Sequence, residues 1–221
     1  LLSFNIVNIR DFTSDKHKTA DDTPYGGGVG MVIKAEPIFK ALSPLDSLQD
    51  DTKRLARGRR VILLCPAGQR LTQDKVKALA KYKHLTIICG HYEGVDERVK
   101  EMVDEEMSIG DYVLTGGEIP AMVLIDAVAR QIPGVIKEAD SVKEDSFYEG
   151  LLDYPSFTKP EEFEGRAVPP VLLSGHHAQI ERWRRKEALR RTLERRSDLL
   201  AKAKLSEEDK ELLGEIFLEE R

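Results

Sequence analysis

Residues 60–65 read RVILLC and residues 85–89 read LTIIC. These two runs decide the fold class. Each is apolar at nearly every position instead of every second one, as expected for strands buried on both faces of a parallel sheet. Between them, Thr72 stands where a helix cap belongs, and Val76, Leu79 and Ala80 share one side of a helix running to Tyr82. Strand, helix, strand is the repeating unit of an α/β sheet. Working outward, residues 5–9 (NIVNI) read as a strand, 21–30 (DDTPYGGGVG) as a loop, and 37–42 as a short helix opened by Pro37. A polar connection covers 43–59. Downstream, 95–103 reads as a short helix, 112–114 as a short strand, and 118–130 as an apolar helix stopped by Pro133-Gly134.

From residue 137 to 163 the chain turns acidic, carries Pro155 and Pro160, and loses periodic apolar positions. That stretch reads as a flexible interdomain linker. Helical patterns follow Pro169-Pro170 over 177–196 and 206–219. The expected organisation is an α/β domain with a mostly parallel sheet over 1–136, the linker over 137–163, and a small all-helical domain over 164–221. The beginning at Leu1-Leu2-Ser3 reads as an incompletely represented start.

Composition narrows the classes. The 221 residues are 41% hydrophobic and 33% charged, which excludes wholesale disorder. No apolar run approaches the ~20 residues a membrane helix needs, and no signal peptide is visible. Two cysteines in apolar runs make no disulfide framework. The expectation is a soluble, reduced, cytoplasmic protein with no membrane partner. A net charge of −5 argues against coating nucleic acid by bulk charge, but not against a local basic face. Residues 181–196 supply one: eight basic and three acidic side chains, a local +5. A solvated helix with internal Glu–Arg pairs is the plain reading. Concentration of charge in one appended segment favours contact with phosphates.

Glycines follow the buried strands, in Cys65-Pro66-Ala67-Gly68, in Gly90-His91-Tyr92-Glu93-Gly94, and in the run from Ser108 to Gly117. Any one of these alone is a tight turn. Three together, at the carboxyl ends of strands, mark where open α/β folds bind ligands through closely approaching main chain. No G-x-G-x-x-G follows the first strand, and neither G-x-x-x-x-G-K-[ST] nor G-x-S-x-G occurs. His17, His84, His91, His176 and His177 show no ligand spacing with Cys65 and Cys89, so no metal site is expected. Arg130 closes an apolar helix and Asp145 lies in a polar stretch. Residue chemistry alone makes neither catalytic.

Six strings read together resemble the bacterial tRNA (guanine-N1)-methyltransferases of the SPOUT superfamily. They are DDTPYGGGVGM (21–31), GHYEGVDERV (90–99), SIGDYVLTGGEIPAM (108–122), RQIPGV (130–135), EDSFYEGLLDYP (144–155) and VPPVLLSGHHAQIERWRR (168–185). The resemblance implies methyl transfer from S-adenosylmethionine to N1 of guanosine 37, in the anticodon loop of tRNA. It implies a deep trefoil knot in the α/β domain, against the general rule for chain connections. It also implies an obligate homodimer with an active site shared between subunits.

Cofactor contacts are implied at Leu64, Cys65, Pro66 and Gly68, and at Gly90, Tyr92, Glu93 and Gly94. Further ones fall at Ser108, Ile109, Gly110, Asp111, Tyr112, Val113, Leu114, Gly116, Gly117 and Pro120. Asp145 matches the family's general base and Arg130 the residue supporting guanine O6. Phe147, Asp153, Lys159, His177, Arg182, Arg184 and Arg185 are the implied substrate contacts. A divalent ion is not readable. The residue types suit the chemistry, because guanine N1 is a poor nucleophile until its proton leaves. A carboxylate in hydrogen-bond reach can take that proton, and a guanidinium aimed at O6 stabilises the charge that spreads there.

Three positions depart from the family pattern. His91 stands where arginine is usual, Cys65-Pro66-Ala67-Gly68 where Ser-Pro-Gln-Gly is common, and the family's first strand and helix precede the segment matching Leu1. A sheet lacking that strand exposes its neighbour's edge. Rival readings are a knotted methyltransferase acting on a ribose hydroxyl or another base, and a silent RNA-binding relative. Asp145 with the C-terminal helical domain favours guanine N1 over the first, and Arg130, Asp145 and the glycine loops argue against the second.

Overall fold

A computed structural model describes residues 1–43, 58–137 and 144–219, so the polar connection at 43–59 lies largely outside it. The chain divides into two compact units, Leu1–Lys137 and Glu138–Arg221. In the first, a three-stranded parallel sheet has β3 (Arg59–Arg70) between β4 (His84–Cys89) and β5 (Glu105–Ser108). A short hairpin of β1 (Asp21–Asp22) and β2 (Val32–Ile33) precedes it.

Period-2 geometry explains why β3 is apolar without alternation. Ile62 and Leu64 pack on one face with Val76 and Leu79 of α2 (Gln73–Leu79) and Leu124 of α3 (Glu118–Ala129). Val61 and Leu63 pack on the other with Ile38 and Leu42 of α1 (Ala35–Leu42) and with Val99. Both faces are therefore covered. The Thr72 hydroxyl caps α2 by accepting from Lys75 N, but the helix stops at Leu79, short of Tyr82. The helix expected over 95–103 is a 3-10 helix, Glu97–Met102, capped by the Asp96 carboxylate.

Two expected strands are absent. Residues 5–9 pair with no strand among the described residues, and Ile6 is 95% exposed. Residues 112–114 are irregular. The strand that does form there is β5, hidden from sequence reading by Glu105 and Glu106. Those carboxylates are tolerated because each has cations: Glu105 meets Arg60 and Lys75, and Glu106 meets Lys100. β3 also continues past Cys65, through a bulge in which Leu64 and Gln69 both pair with Met107.

The second unit is built on α4 (His177–Arg195) and α5 (Glu207–Glu219). Its core is Leu151, Leu189, Leu212 and Ile216. Leu151 lies in the stretch expected as linker, yet it is 5% exposed. Residues 144–163 thus belong to this unit instead of standing between two. It is not purely helical, since β6 (Glu162–Phe163) and β7 (Arg166–Ala167) form a hairpin. Among the described residues, no helix is long and apolar enough to cross a membrane.

Candidate active site

One cavity of about 250 Å³ opens beside the β3 bulge and the carboxyl ends of β4 and β5. Five glycines, Gly90, Gly94, Gly110, Gly116 and Gly117, bring main chain to its walls. Gly117 N donates to Gly90 O at 2.7 Å and His91 bridges Gly116, lacing the third glycine loop to the second. A Cβ on Gly117 would stand 2.7 Å from Cys89 Cα, so only glycine permits that approach. Buried Ser108 fixes its own turn, accepting from Gly110 N at 3.2 Å and donating to Gly110 O at 3.0 Å. Tyr92 sits at φ +58°, with its N–H donating to His91 Nδ1 at 2.8 Å. The Gly-rich loop abuts the cavity as well: a Cβ on Gly30 would come 2.5 Å from Glu93 Cγ, and Glu93 N donates to Met31 O.

Every residue expected to touch cofactor lines this cavity except Gly68 and Asp111. Gly68 instead lies against the Met107 main chain, where a Cβ would collide. Asp111 turns to an exposed ion pair with Arg70. His91 and Thr115, inside the expected loops, also line the cavity, as do Leu63, Val95 and Met107, which sequence reading passed over. His91 and Thr115 fall inside the quoted strings, which was signal enough to include them. The two cysteines offer no nucleophile. Burial, with Glu118 adding, pushes the Cys89 thiol up to about 11. Burial and then Glu106, to which Cys65 Sγ donates at 3.2 Å, raise Cys65. Both remain protonated at neutral pH.

In the second unit, half-buried Asp145 heads a loop fastened to α4. Phe147 N donates to Leu151 O at 2.7 Å, with Phe147 at φ +71°. Ser146 Oγ donates to Asp153 Oδ1 at 2.8 Å and accepts from Asp153 N at 3.0 Å. Arg191 reaches Asp153 O at 3.2 Å. Thr192, fully buried, accepts from Leu152 N at 2.9 Å and donates to Ala188 O at 2.7 Å. Arg184 lies over the Tyr154 ring at 4.8 Å, and the Tyr154 hydroxyl donates to Glu144 at 2.7 Å. Asp145 is in this unit; Arg130, exposed, is the C-cap of α3 in the first.

The sequence pattern of the tRNA (Guanine-1)-methyltransferase TrmD family matches residues 1–202. The chain belongs to that family. A relative from Desulforamulus reducens is 56% identical over 217 residues, covering 98% of this chain and 84% of its own length. One from Dictyoglomus turgidum is 55% identical over 221 residues, covering 100% and 86%. Both carry the name tRNA (guanine-N(1)-)-methyltransferase.

A TrmD-family chain must offer cations to RNA, and here the structure redraws the expected set. Arg182 donates to Glu215 at 2.5 Å, and Arg184 to Glu181 at 2.9 Å. Arg185 makes a two-point contact with Asp209, at 2.7 and 2.9 Å. These three arginines, expected on substrate, each meet a carboxylate within the unit. The reason is α5: residues 206–219 hold six acidic side chains and one basic, a −5 that faces the +5 of 181–196. Asp209 is 2% exposed, and Arg185 holds its carboxyl below the ordinary range. Taking Arg185 away would leave the buried Asp209 carboxylate with Ser206 N as its remaining donor and so lower stability. Lys159 and His177 are exposed.

Proposed function

We propose that this chain transfers a methyl group from S-adenosylmethionine to N1 of guanosine 37 in the anticodon loop of tRNA. The observation that carries the reading is the glycine-walled cavity, found in a chain of this family. The donor set fits the cofactor. Main-chain groups of the three loops suit an adenosine, apolar Leu64, Ile109 and Leu114 suit its ring, and the Glu93 carboxylate suits a cation. When bound, the cofactor supplies a methyl group on a positively charged sulfur.

The chain's own residues do the rest. Asp145 accepts the N1 proton of guanine as general base, and the Arg130 guanidinium stabilises the charge that moves to O6. Phe147 and Asp153 order the loop around the base, Asp153 through its clasp with Ser146. Fixed placement of N1 against the methyl supplies much of the rate. The same reading includes a trefoil knot in the first unit, a homodimer in which the two units of different subunits meet, and action in the cytoplasm.

The test uses labelled S-adenosylmethionine and two tRNA transcripts, one with guanosine at 37 and one with adenosine. Label on the first alone, mapped to N1 by nucleoside mass spectrometry, is the expected result. Label on a ribose hydroxyl would move the chain to the rival reaction.

A further inference from the structure

The basic helix is uneven in what its cations are free to do. Toward its amino end, Lys186 is 14% exposed and held by Glu215 and Glu219, and Arg185 is held by buried Asp209. Arg190 is likewise held by Glu187 and Glu219. Toward its carboxyl end the partners thin out. Arg195 is exposed and makes no ion pair among the described residues. Arg191 and Arg196 meet Asp153 and Asp198, carboxylates that are themselves 51% and 55% exposed. Pairs of that kind exchange readily with water or another anion. A helix carboxyl end favours cations in any case, so position alone decides nothing. Arg184 with Glu181, 66% exposed, is no more committed, so what singles this end out is Arg195, without an ion pair among the described residues, and the loop beside it.

A second observation gives this end its place. Arg191 touches Asp153, whose partner Ser146 adjoins Asp145. Arg196 lies over the ring of Phe147 at 5.9 Å, on the same loop. We infer that the guanidinium cluster of Arg191, Arg195 and Arg196 is the phosphate-contacting surface of the second unit. It grips the single-stranded RNA backbone beside the guanosine presented to Asp145, and this rests on the tRNA reading above. Arginine suits the task, since its planar fork meets phosphate oxygens two at a time. An arginine already meeting one carboxylate still has donors to spare.

The test compares Arg195→Gln/Arg196→Gln with Arg182→Gln and with the charge-preserving Arg195→Lys/Arg196→Lys. Circular dichroism first establishes that each is folded. Filter binding of a tRNA transcript across a salt series gives the slope of log affinity on log salt. Removing the cluster should flatten that slope by about 0.7 for each phosphate of single-stranded RNA that is no longer neutralised. The KM for tRNA should rise about tenfold with little change in kcat, as when uniform binding is removed. S-Adenosylmethionine affinity should stay as in the parent chain. The lysine pair should keep most of the slope, and Arg182→Gln should keep all of it. An unchanged slope in the folded glutamine pair overturns the assignment, as does an equal flattening in Arg182→Gln. A parent chain that binds cofactor yet methylates no tRNA overturns the functional reading instead, and the binding slopes still decide the cluster.

Discussion

At the scale of single residues, the reading turns on two side chains and one missing one. Asp145→Asn keeps the size and removes the acceptor for the N1 proton, so kcat should fall roughly 10²–10⁴-fold. Calorimetric affinity for S-adenosylmethionine should change little beside that fall in kcat, because the carboxylate serves the guanine and not the cofactor; a loss of affinity as large as the loss of kcat would refute the assignment of Asp145 to the base. Gly117→Ala tests the opposite end of the reaction. Its new methyl would press on Cys89 Cα at 2.7 Å and part the two loops. Cofactor affinity should drop at least tenfold, measured by the same titration, while Gly214→Ala, with open space around it, should leave affinity unchanged. Such backbone positions were legible beforehand because glycine at a strand end carries a specific meaning. Asp111 was not: nothing in the sequence says that Arg70 lies beside it, since the pair forms only once β3 runs on past its bulge.

At the scale of elements, the loop from Glu144 to Pro155 shows what sequence patterning misses. Prolines, acids and few periodic positions suggested a linker, but one apolar side chain at the right place, Leu151, joins it to a core. Thr192 completes the attachment, and its role was invisible because a threonine inside a helix is ordinarily unremarked. Replacing it with valine would leave the Leu152 N–H without its partner, a loss of about 1–3 kcal/mol for a buried group. Thr192→Val should lower the thermal midpoint and reduce kcat through a loosened Asp145 loop. Thr192→Ser, which keeps the hydroxyl, should recover both. If valine and serine behave alike in activity, the hydroxyl does not position the loop. The sheet tells a similar story. β3 and β4 were readable from continuous apolar runs, whereas β5 was disguised by two carboxylates whose counterions come from elsewhere in the unit.

At the scale of the whole molecule, charge is arranged so that totals mislead. The net −5 conceals a +5 helix lying against a −5 one. Arg182 first, and then Lys186, hold the Glu215 carboxyl down at about 2 against an ordinary 4.5. A depressed carboxylate contributes stability above its unfolded value and loses it as pH falls through the folded one. Asp209, held by Arg185, and Glu219, held first by Lys186, are lowered in the same sense. Thermal melts should therefore show the second unit weakening progressively from about pH 4.5 toward 2. Glu215→Gln should be weaker at pH 7 and lose less on acidification. Equal acid sensitivity in the variant would mean that these pairs do not set the transition.

The cavity has one more property, which concerns change over generations more than chemistry. Where the site offers main-chain groups, a ligand's contacts do not depend on side-chain identity, whereas Cys65, His91 and the apolar lining can change. The backbone itself has no such freedom: Gly117 has no substitute that fits against Cys89. An inhibitor that copied the hydrogen bonds of an adenosine to these loops would be recognised by atoms that no codon change can remove. Resistance would then have to arise at the side chains of the lining, such as Leu64, Ile109 and Leu114, or through altered expression.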